Sequence, residues 1–118
     1  MARPKKFKNI CELPKYNSFK QDDPLMGNFL ENILSLEEYE TIRLIDHENM
    51  TQEECSLQIG VSRPSVQLLY TRARKKIANF IVNGGLLKIE GGNYKICTKP
   101  KRNCKRKGCY QQKNKEDF

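Results

Sequence analysis

The chain has 118 residues, 37% hydrophobic and 31% charged, with a formal net charge of +8. That length suits one domain with a modest core, and a mean hydropathy of −0.76 predicts that part of the chain stays outside it. No apolar run approaches membrane-spanning length, the basic start MARPKKFKNIC leads into no apolar signal segment, and five cysteines, an odd number, exclude a full set of internal disulfides.

A reducing, cytoplasmic setting is therefore expected, with free thiols or metal ligands favoured over a disulfide framework. Charge is distributed unevenly. Residues 31–54 carry eight acidic side chains and one basic; residues 55–96 carry seven basic and one acidic; residues 97–118 carry eight basic and two acidic. An acidic front ahead of a basic segment would orient the domain on a polyanion, because Lys and Arg gain by releasing condensed counterions while carboxylates are repelled.

Residues 1–30 read as a basic, irregular N-terminal arm, since Pro4, Pro14 and Pro24 interrupt any long helix. Ile10, Leu13, Tyr16 and Phe19 can pin it to the domain surface. Its tip, with Arg3, Lys5, Lys6 and Lys8, either contacts DNA phosphates or a groove, or only aids solubility.

Residues 31–97 read as the folded domain. Gly27–Leu34 suggests a short helix. Ser35 then caps a longer one, with Glu38 closing a capping box and Leu36, Tyr39, Ile42 (or Arg43) and Ile45 following a helical period. Glu37, Glu38 and Glu40 fall early, where the helix dipole favours them. His47, in the link that follows, reads as plain surface.

The stretch TQEECSLQIGVSRPSVQLLYTRARKKI, Thr51 to Ile77, reads as two helices around a tight turn. Thr51 and Glu54 form a second capping box, and Cys55, Ser56 and Ile59 give a short buried stripe. Gly60 ends the helix where positive φ is needed, and Val61 plugs the corner. Ser62 caps the next helix, with Pro64 in its first turn. Val66, Leu69, Ala73, Ile77 and Phe80 then face inward along a helix that starts at Arg63 and runs to Ile81 or Val82. Any helical hairpin needs a cap, a Gly turn and an apolar stripe. The conjunction with a small residue at the crossing and an Arg- and Gln-bearing second helix points to a helix-turn-helix that reads double-stranded DNA.

The opposite side of that helix presents Arg63, Pro64, Gln67, Leu68 and Thr71. Arg pairs bidentately with guanine, Gln with adenine, and Leu or a Thr methyl touches thymine. Arg72, Arg74, Lys75 and Lys76 lie further along and suit phosphates, as do the cap hydroxyls of Thr51 and Ser62. After the stop at Asn83-Gly84-Gly85, LLKIEGGNYKIC predicts a β-hairpin turning at Gly91-Gly92. Its register pairs Ile89 with Tyr94, Lys88 with Lys95 and Leu87 with Ile96, placing the four apolar residues on one face. The hairpin is either a wing touching DNA through Lys88 and Lys95 or a lid on the core.

Residues 98–118 read as a flexible, basic tail containing cysteines. Cys55 reads as a core residue, whereas Cys97, Cys104 and Cys109, with Cys11 as a fourth ligand, are a candidate set for zinc or an iron–sulfur cluster. No tight CxxC pair supports that set, and free thiols are the other reading. One histidine, no nucleophile–base constellation and no phosphate-cradling loop argue against an enzyme.

MARPKK, the IC-x-LP segment, LEEYETIRLIDHENMTQEECSLQIGVSRPSVQLLYTRARKKIA and LKIEGGNYKIC together resemble an uncharacterised family of small bacterial and archaeal proteins predicted to bind DNA. The resemblance covers residues 1–97, and its central part is similar to region four of sigma factors. It implies a mainly α, sequence-specific DNA-binding fold with Arg63, Pro64, Ser65, Gln67 and Leu68 at the base-reading positions. Pro64 departs from the charged residue usual in sigma factors, so the resemblance does not by itself imply their target sequence. The expectation is a cytoplasmic transcriptional regulator. The alternatives are a protein-interaction module that contacts RNA polymerase or a regulator, and a metal or redox sensor working through the cysteine tail. A homodimer through Phe80, Ile81 and Val82, or through the hairpin, would suit a two-fold site.

Overall fold

Three hydroxyl side chains decide where the helices begin. Ser35, Thr51 and Ser62 sit in extended backbone and accept hydrogen bonds from the main-chain N–H groups of Glu38, Glu54 and Ser65. Glu38 and Glu54 reciprocate by accepting from the cap N–H groups, so both expected capping boxes are complete. The computed structural model describes residues 8–11, 13–22 and 30–96. Within them the order is β1 (Lys8–Ile10), β2 (Ser18–Lys20), β3 (Glu31–Leu34), α1 (Leu36–Ile42), a π-helical turn (Arg43–His47), α2 (Gln52–Ile59), α3 (Arg63–Asn83), β4 (Leu86–Ile89) and β5 (Tyr94–Ile96).

The π-helical turn extends α1 directly, and Asn49 follows in left-handed backbone at φ 63, a conformation Asn tolerates. Gly60, at φ 86, ends α2 and turns the chain into α3. That helix runs 21 residues and stops at Asn83, just past the expected end.

Helix α3 is shared by two apolar clusters. One fills the corner beneath α2 with Leu44, Met50, Cys55, Ile59 and Val66, bordered by Ile45 and Val61. The other joins Ile10, Leu34, Leu36, Ala73, Leu87 and Ile89, with Tyr39, Ile42, Ile77 and Phe80 packed against it. Of the inward stripe expected for α3, Val66 and Ala73 are buried, Ile77 and Phe80 are half-buried against the second cluster, and Leu69 is half-buried. Ser56, 7% exposed, sits at the crossing and donates its hydroxyl to the Glu53 carbonyl at 2.7 Å.

The strands depart from expectation. β4 is the centre of a three-stranded sheet, antiparallel to β2 and parallel to β3, while β5 pairs in parallel with β1. The predicted β-hairpin is therefore absent, although Gly91 and Gly92 both have the positive φ its turn requires. The physical reason is that β2 and β3 occupy both edges of β4, leaving none for β5. The apolar face was nevertheless assigned correctly, since Leu87 and Ile89 are buried and Tyr94 and Ile96 pack on the same cluster. The Gly27–Leu34 segment is likewise not the helix anticipated where it is described, because Glu31–Leu34 is a strand. Residues 8–10 and 18–20 of the arm are also strands, and Ile10 is fully buried.

The acidic block is divided between surface and interior, with Glu31, Asp46 and Glu53 exposed. Glu37, Glu38 and Glu40 are 6%, 3% and 0% exposed. Arg43 grips Glu40 with two hydrogen bonds, Nε to Oε1 at 2.8 Å and Nη2 to Oε2 at 3.0 Å. The Cys11 N–H donates to the same carboxylate at 3.1 Å, tying the segment after β1 to the helical core. Removing either partner of so buried a pair would strip the other of its nearest counter-charge.

Candidate nucleic-acid interface

The surface that the motif exposes is built by the first turns of α3. Val66 and Ala73, both 0% exposed, fix which side of the helix faces inward. Arg63, Pro64, Gln67, Leu68 and Thr71 are all exposed on the remaining surface. Gln67 Nε2 donates to Thr71 Oγ1 at 3.3 Å, one helical turn away, which orients the amide along the face. Ser65 is half-buried and lies with its hydroxyl 3.0 Å from that of Ser62, so it belongs to the cap as much as to the surface. Thr51 and Ser62 are exposed, each accepting a capping N–H.

The expected phosphate contacts divide. Arg72 and Lys75 are exposed and, among the described residues, make no ion pair. Arg74 is drawn to the π-helical turn: its Nη1 donates to Tyr70 Oη at 3.1 Å, its Nε lies 3.9 Å from Asp46 Oδ2, and Tyr70 Oη donates to Asp46 Oδ1 at 2.7 Å. The Asp46 hydrogen bond holds the Tyr70 phenol above its ordinary pKa, and the guanidinium stacks 5.2 Å from the ring centre. Lys76 donates to Glu38 Oε1 at 2.7 Å. Lys88 alternates with the buried Leu87 and Ile89, so it lies on the face of the sheet away from α3, in the central strand and not in a hairpin. Lys95 is exposed on β5 and stands beside Asn9, not opposite Lys88.

Of the candidate cysteine set, Cys97, Cys104 and Cys109 lie outside the described residues. Cys11 is buried, and its sulfur accepts a hydrogen bond from Arg43 Nη2 at 3.3 Å. Cys55 is fully buried, and burial pushes its thiol up to about 12. Of the residues considered for self-association, Phe80 packs on the core while Ile81 and Val82 are exposed.

Asn93 is a residue beside this surface that the sequence did not single out, and Lys8 was expected only as part of a basic tip. Both line a groove along α3, brought there by the β1–β5 pairing and by the Asn93 N–H donating to Glu37 Oε1 at 2.7 Å. No local pattern signals such a pairing.

The family model described as "Protein of unknown function DUF134" matches residues 1–97. The chain belongs to the DUF134 family. A UPF0251 protein of Desulfitobacterium hafniense (strain DSM 10664 / DCB-2) is 44% identical over 115 residues, which is 98% of this chain and 91% of the relative. A UPF0251 protein of Halothermothrix orenii is 44% identical over 96 residues, 81% of this chain and 71% of that relative. No solved structure matches. The region matched by DUF134 includes every helix described here, together with Lys8 and Asn93. Among the described residues, no helix is long and apolar enough to cross a membrane.

Proposed function

We propose that this protein binds double-stranded DNA in a sequence-dependent way and acts as a transcriptional regulator, with the first turns of α3 entering the major groove. One observation carries the reading. Arg63, Gln67, Leu68 and Thr71 are exposed together, directly after a left-handed Gly60 corner, on a helix whose opposite side is held by Val66 and Ala73. A protruding helix with bidentate-capable side chains near its N-terminus is the arrangement major-groove readers use. Lys75 and Arg72, further along and without ion pairs among the described residues, suit phosphates.

Random-oligonucleotide selection tests this. The native protein should enrich a defined motif, and Arg63→Ala with Gln67→Ala should blur it, at about 1–3 kcal/mol per lost bidentate contact. Lys75→Ala should weaken all duplexes evenly. An unchanged motif in the double variant would exclude these residues as the readers.

A further inference from the structure

Leu68, Leu69 and Arg72 form one wall of a groove of about 710 Å3 beside α3, and Lys8, Glu37 and Asn93 line its other side. That second wall joins distant parts of the chain. Lys8 N–H donates to the Asn93 carbonyl at 3.0 Å, and Lys8 Nζ lies 2.9 Å from Glu37 Oε2. The carboxylates here are engaged and shielded. Glu37 also accepts the Asn93 N–H, and Glu38 accepts Lys76 Nζ at 2.7 Å and the Ser35 N–H at 2.8 Å. Both are buried, whereas Arg72 is exposed and, among the described residues, has no ion pair. The charge that the groove offers to solvent is therefore cationic, and Leu68 joins it to the base-reading surface.

We infer that this groove takes the sugar–phosphate backbone of one DNA strand, the strand bordering the major groove that α3 enters; the inference rests on the DNA-binding reading above. A helix lying in a major groove about 12 Å wide has a phosphate chain along each flank. Arg72 supplies a planar, permanently charged donor set to one phosphate. Lys8 keeps ammonium donors beyond its contact with Glu37 and cancels a carboxylate that would otherwise repel the strand. The Asn93 side chain adds a neutral donor on the same side. These contacts fix the register of the helix on the duplex without choosing bases.

The test uses the full chain and a mixed-sequence DNA duplex at low salt. A photo-crosslinking benzoylphenylalanine replaces Asn93 in one variant and Ile81, 73% exposed at the far end of α3, in another. Crosslinking to DNA from position 93 and none from position 81 is expected. Arg72→Gln should lower the slope of log affinity against log salt by about 0.9, the amount for one phosphate. If the native protein fails to bind duplex at all, the DNA-binding reading falls and this inference with it. If the protein binds but position 93 crosslinks no better than position 81, or Arg72→Gln leaves the slope unchanged, the groove assignment alone is overturned.

Discussion

At Gly60 the backbone sits at φ 86, and a Cβ added there would meet Asn9 Nδ2 at 3.1 Å. Gly60→Ala should therefore lower stability by about 1–2 kcal/mol, the cost of left-handed backbone for an ordinary residue. Urea unfolding followed by circular dichroism measures it, and an unaltered midpoint would mean that the corner relaxes freely. Cys55 offers a second check at this scale. Its thiol, 9.0 in the unfolded reference, rises to about 12, chiefly by burial, with Glu40 adding to the rise and Arg43 opposing it. The native state thus holds this proton more tightly than the unfolded chain does. Stability is intact below pH 9 and is lost progressively as pH climbs toward 12. At pH 8 the native Cys55 should resist iodoacetamide and become labelled only in denaturant, as peptide mass spectrometry will report.

Among the elements, α2 leans heavily on its cap. It is only eight residues long, and its first turn depends on reciprocal bonds of 3.0 Å between Thr51 and Glu54. Thr51→Ala should cost about 1 kcal/mol, whereas Thr51→Ser keeps the acceptor and should be nearly silent. Thermal denaturation of the pair decides it; equal losses would show that the hydroxyl is not what matters. The strand elements behave differently. β4 is specified less by its own alternation than by two neighbours that reach it from Ser18–Lys20 and Glu31–Leu34.

For the whole molecule, β1 and the Cys11 that follows it are part of the core rather than an appendage. Ile10 is 0% exposed and Leu13 is 55% exposed, though both looked equally able to pin an arm. Ile10→Ala should destabilise the fold by about 2–5 kcal/mol, while Leu13→Ala should fall within about 0.5 kcal/mol of the native protein. Chemical denaturation of both variants separates the cases. Comparable effects would contradict the depth at which β1 docks. Long-range charge follows the same logic. The acidic block between residues 31 and 54 places Glu37, Glu38 and Glu40 inside, each against a cation. The polarity counted along the chain is consequently weaker at the surface than the sequence implied.

What the chain reveals by itself is what short-range chemistry decides. Ser35, Thr51 and Ser62 bond within three residues, Gly60 alone can take its backbone angle cheaply, and the spacing of Val66, Ala73, Ile77 and Phe80 sets the inner side of α3 and hence its outer one. The face carrying Arg63 and Gln67 was legible for that reason. Strand partners were not. The Gly91-Gly92 turn was compatible with a hairpin, but pairing is a competition among distant segments for the edges of β4, and no local signal ranks the competitors. The same holds for Lys8, Glu37 and Asn93, which become neighbours only when β1 settles beside β5. Local preference thus names the helices and their exposed side, whereas non-local edge pairing and the burial of paired charges complete the surface beside them.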